Sequence, residues 1–89
     1  MEENFCIAAF RSRLQVMAFE EALKERGMKA EIVTTPRAVS LGCGLSVRFD
    51  EREQARVKAL YQALGLGNLI GFYRVTRDVS GRAMVTPLA

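Results

Sequence analysis

Apolar residues follow two rhythms along this chain. Phe5-Cys6-Ile7-Ala8-Ala9-Phe10 is an unbroken apolar run of strand length, which predicts a central strand buried on both faces. The spacing then changes: Val16, Phe19 and Leu23, flanked by Ala22, fall on one face of a helix. Ser12-x-x-Gln15 reads as a capping box at its start, and Gly27 as its stop after Lys24 and Arg26. Met28–Thr35 alternates and holds Ile32, Val33, Thr34 and Thr35, so it predicts a second strand, ended by Pro36. Leu45–Phe49 predicts a third. Asp50-x-x-Glu53 opens a second helix whose stripe is Val57, Leu60, Tyr61 and Leu64, closed by Gly65 and Gly67. Leu69–Thr76 predicts a fourth strand, with Phe72 and Tyr73 as core and edge aromatics.

The order βαββαβ predicts an α+β domain of ferredoxin-like type: a four-stranded antiparallel sheet with two helices on one face. Val16, Phe19, Leu23, Val57, Leu60 and Leu64 should then face Ile7, Ala9, Ile32 and Val47. The domain is expected over residues 1–76. Residues 77–89 form a tail with a turn at Asp78-Val79-Ser80-Gly81, beyond which Met84 and Val85 pair as an extra edge strand, dock on a partner subunit, or fray. Leu14 and Met17 lie off the core face of the first helix. With Met84–Val85 they give more apolar surface than a monomer needs, so a homodimer is the expectation.

Composition narrows the function. Eighty-nine residues hold one core, and at 49% hydrophobic and 26% charged the chain is ordinary globular material. No uncharged stretch approaches membrane-spanning length, and the acidic start Glu2-Glu3 does not resemble a leader, so a cytoplasmic protein is expected. The net charge of +3 suits an anionic ligand, but the absence of Trp and of a stacking motif weighs against nucleic acid. With two cysteines and no histidine, neither a zinc site nor a Cys-His nucleophile can be assembled, so no metal and no cofactor are expected.

The two cysteines differ. Cys6 sits in an apolar strand, where a free thiol behaves as a small hydrophobe. Cys43 lies in the loop Pro36–Gly44, between Gly42 and Gly44, which leave the backbone free and allow close approach. In an antiparallel sheet the first strand ends where the third begins, which brings Arg11 and Ser12 to the Cys43 loop and leaves Cys6 at the far edge. A strand of six residues spans about 20 Å, and a disulfide needs Cα atoms within about 7 Å. A Cys6–Cys43 disulfide is therefore not expected. Arg37, Arg11, the loop amides and the helix dipole would all favour a thiolate at Cys43. Two readings of the loop remain open on composition alone: a reactive thiol, or a tight turn with a buried cysteine.

The run Thr35-Pro36-Arg37-Ala38-Val39-Ser40-Leu41-Gly42-Cys43-Gly44, continuing through Phe49, resembles the Se/S carrier protein-like family of small bacterial domains. The Phe10-x-Ser12 corner and Gly71-x-Tyr73 are also similar to that family's pattern, and the resemblance covers Phe5 to Val75. The glycine-rich linker Leu64–Asn68 and the tail depart from it. The resemblance implies a carrier holding sulfur or selenium on Cys43 as a persulfide or selenosulfide, with Arg37, Ser40 and Gly44 as loop companions; the backbone from Gly42 to Gly44 would help to stabilise the anion. Its partners would be a donor enzyme and an acceptor protein, and it would have no turnover of its own. The alternative from a different class is a non-catalytic ligand-binding or regulatory module, which fold alone does not exclude.

Overall fold

The computed structural model describes residues 3–37, 39 and 44–88. The elements run β1 (Glu3–Phe10), α1 (Arg13–Glu25), β2 (Ala30–Thr34), β3 (Leu45–Phe49), a 3-10 turn (Glu51–Glu53), α2 (Gln54–Leu64), β4 (Leu69–Arg77) and β5 (Ala83–Pro87). They make an α+β fold with one antiparallel sheet, ordered β2-β3-β1-β4-β5. The expected sheet of four strands is corrected to five. After the turn at Asp78, β5 returns to pair with β4, Val85 opposite Val75. Asp78 fixes that turn, its carboxylate accepting from the Ser80 and Arg82 backbone N–H groups at 3.0 Å each. The Ser80 hydroxyl, which donates to the same oxygen, and then those backbone bonds hold the Asp78 carboxyl below the usual carboxylate range.

Side chains of a strand alternate between faces, and β1 divides accordingly. Cys6, Ala8 and Phe10 share the face that packs on both helices, in one cluster with Val16, Phe19, Leu23, Val47, Phe49, Val57 and Leu60. Phe10 and Phe19 meet edge to face with ring centroids 5.5 Å apart, and Tyr61 from α2 closes on both at 6.1 Å. Phe72 extends the aromatic cluster, 5.7 Å from Tyr61. Two expectations are corrected here. Ile7 and Ala9 point away from the helices, because the pleat assigns the helix side to the even-numbered residues of β1. Leu64 is 40% exposed at the end of α2 and contributes little to the core.

The ends of α1 show which local signals hold. Ser12 is extended at the N-cap position, but its side chain makes no cap bond, so the expected capping box does not form. The stop is as expected: Met28 N–H donates to Leu23 C=O and Gly27 N–H to Lys24 C=O, both at 3.0 Å, the paired bonds of a Schellman end. Asp50 caps the 3-10 turn by accepting from Arg52 N–H at 2.8 Å, and α2 begins only at Gln54. Among the described residues no helix is long and apolar enough to cross a membrane.

Candidate functional site

β1 and β3 run antiparallel with Phe10 opposite Leu45, so the chain leaving β1 and the chain entering β3 meet at one end of the sheet. Arg11, Arg13, Thr34, Gly44 and Leu45 line a cavity there of about 250 Å³. The corner is fixed by its backbone: Arg11 N–H donates to Asn68 C=O at 2.8 Å, which ties the start of α1 to the entry of β4. Thr35 N–H donates to Gly44 C=O at 3.0 Å and extends the β2–β3 ladder by one pair.

Beneath this end lies a buried polar pair. The Thr35 and Ser46 hydroxyls are 2.6 Å apart, and either can be the donor. Both residues are buried, so each hydroxyl depends on the other for a partner. Gly44 is packed close above: a Cβ there would stand 3.2 Å from Thr35 Oγ1 and 3.8 Å from the Phe10 carbonyl oxygen. A side chain at position 44 would press on the hydroxyl pair. Replacing Thr35 by valine leaves the Ser46 hydroxyl buried and unpaired, with an expected cost of about 1–3 kcal/mol. The double change Thr35→Val with Ser46→Ala removes both polar groups and should recover most of that loss in urea unfolding. A double variant as unstable as the sum of the two single changes would show that the hydroxyls act separately.

The Gly71-x-Tyr73 pair has a geometric explanation on the face away from the helices. Tyr73 lies along its own strand over Gly71, its hydroxyl oxygen 3.0 Å from where a Cβ at position 71 would be. Gly71 pairs with Ala9 and Ala9 with Ser46, so a row of small residues crosses three strands and leaves room for the ring.

The expected site residues divide into three groups. Arg11 and Gly44 are brought together in one cavity. Ser12 is half-buried at the start of α1, and Arg37 is exposed in the turn after Pro36; neither lines that cavity. Ser40, Gly42 and Cys43 lie outside the described residues. Sequence reasoning missed Arg13, Thr35 and Ser46. The signal for Arg13 was its place two residues after Arg11 at a helix start with no acidic residue in its first turn. For the hydroxyl pair no local signal existed, since it joins residues eleven apart across two strands.

Cys6 is a free, fully buried thiol on the helix side of β1. Burial pushes its pKa up, and the nearby Glu51 carboxylate adds to the effect. Glu51 is ion-paired with Arg74, which partly opposes that shift. Cys6 is thus held as a protonated thiol, suited to packing and unsuited to nucleophilic attack.

The family model described as "Putative Se/S carrier protein-like" matches residues 5–69. The chain belongs to this family. The match takes in the Arg11–Arg13 corner, the whole Pro36–Gly44 loop and the Thr35–Ser46 pair. It ends at Leu69, so Gly71-x-Tyr73, expected to fall within the likeness, lies beyond it. Neither curated proteins nor solved structures give a match to the chain.

Proposed function

We propose that this member of the family is a carrier that holds a sulfur or selenium atom on Cys43 as a persulfide or selenosulfide. The observation that carries the reading is the cavity at the end of the sheet, where Gly44, the residue bonded to Cys43, shares walls with Arg11 and Arg13. Two guanidinium groups in the cavity lined by the residue next to Cys43 in sequence supply the positive charge that would favour a thiolate and stabilise a persulfide anion. In this reading Arg37, Ser40 and Gly42 are the loop companions of Cys43.

The chemistry balances without an outside oxidant. The Cys43 thiolate attacks the outer sulfur of a donor persulfide, a bond forms between the two sulfurs, and the donor's own S–S bond breaks to release its thiolate. Delivery reverses this: an acceptor nucleophile takes the outer atom and Cys43 leaves as thiolate. Partners are thus a donor enzyme and an acceptor protein. A reducing cytoplasmic setting suits a cysteine that must return to the thiol after each transfer. The ferredoxin-like reading of the scaffold is supported by the order β2-β3-β1-β4 within the sheet, to which β5 is an addition.

Intact-mass analysis after incubation with a cysteine desulfurase and cysteine tests the reading. Wild type and Cys6→Ser should each gain one sulfur atom, and Cys43→Ser none. A selenium donor in the same assay tells which chalcogen is accepted. Equal gain by Cys43→Ser would end the proposal.

A further inference from the structure

Leu14 is 77% exposed and Met17 52%, one helical turn apart on the outer face of α1. They adjoin Arg11 and Arg13, both exposed, at the corner that carries the cavity. Among the described residues none of the ion pairs engages Arg11, Arg13 or Arg37. Basic residues at a helix start oppose the helix dipole, and a large apolar side chain in water gains nothing from burial. Two locally unfavourable choices therefore coincide at one place, beside the cavity that Gly44 lines.

We propose that Arg11, Arg13, Leu14 and Met17 form the docking surface for the protein that delivers the chalcogen to Cys43, through an acidic surface with an apolar patch. This rests on the carrier reading. Charge complementarity selects the occupant: a basic patch with no acidic neighbour in its first helical turn attracts an acidic partner and steers its approach. A second copy fits less well, because a two-fold contact through this face sets the patch against itself, arginines included. A lipid surface also fits less well, since the same helical stripe continues through Glu21 and Glu25, both exposed, where a membrane-binding helix keeps its charge basic. Two apolar anchors make a small interface, as a partner that must leave after each transfer requires.

The test compares two donors with wild type and with the double variant L14S/M17S: a persulfide-charged cysteine desulfurase, and glutathione persulfide as a small donor that needs no docking surface. Both substituted side chains are exposed, so folding should be retained, and circular dichroism checks it. Transfer from the desulfurase should fall about tenfold or more in the variant, while loading by glutathione persulfide stays within about twofold. Raising salt from about 0.05 M to about 0.5 M should slow desulfurase transfer to wild type several-fold. Equal slowing with both donors, or unchanged desulfurase transfer in the variant, overturns the docking surface. So does a wild-type dimer by light scattering that L14S/M17S dissociates, or binding to phosphatidylserine vesicles that the variant loses. If glutathione persulfide does not load Cys43 at all, the carrier reading itself falls and takes the docking surface with it.

Discussion

Iodoacetamide will modify Cys43 of the folded protein first, and Cys6 at least about a thousandfold more slowly. The factor follows from the opening that Cys6 requires. It is fully buried in the central strand, so a reagent reaches it only through extensive unfolding, which for a typical domain costs about 5–15 kcal/mol. Its raised pKa lowers the thiolate fraction further. The rate at Cys43 should follow a titration with an apparent pKa below the ordinary thiol value of about 8.5. Replacing Arg11 and Arg13 together by alanine should raise that pKa, and so slow the reaction at neutral pH, because the positive charge that favours the thiolate is gone. Peptide mapping of the alkylated protein across pH checks each point. If Cys43 stays unmodified until the protein unfolds, the loop is a buried turn. The carrier reading then gives way to a ligand-binding or regulatory module.

Phe10→Ala will cost about 3–5 kcal/mol of stability, a large share of what a domain of this size has. Phe10 is fully buried at the end of β1, and its ring contacts Phe19 of α1 and Tyr61 of α2. Truncation leaves a cavity between the sheet and both helices, and the rings of Phe19 and Tyr61, 6.1 Å apart, lose the partner they share. Phe10→Leu should cost less, since most of the volume stays filled. The loss should also reach the site, because the Phe10 carbonyl lies against Gly44 and Arg11 is the next residue. Urea unfolding of both variants gives the free energies. A loss below about 1 kcal/mol for Phe10→Ala would mean that the aromatic cluster does not act as the link between sheet and helices.

Much of the framework was legible from periodicity. Leu45–Phe49 is the third strand as read, the helix stripes through Phe19 and Leu60 are buried, and α1 stops at Gly27. Periodicity reports burial over a few residues, and these elements are decided at that range. The β1 run carried no such signal about its faces. With six consecutive apolar residues, nothing local says whether Ile7 or Ala8 meets the helices, and register with β3 and β4 decided it. The tail was ambiguous for a related reason: Met84 and Val85 gain a strand only once β4 offers its edge.

At the site, the sequence by itself determined the family pattern and singled out Cys43 as the residue to test, since Cys43 with its two glycines is a contiguous motif. It also supported the meeting of Arg11 with the loop, because antiparallel order alone sends the end of β1 to the start of β3. Only the tertiary structure decided that Arg13 shares the cavity, that Thr35 and Ser46 satisfy one another beneath Gly44, and that Ser12 does not cap its helix. Those are pairings between distant residues, or choices among competing hydrogen bonds. Their free energies depend on distances and burial set by the whole sheet, which no local run of residues encodes.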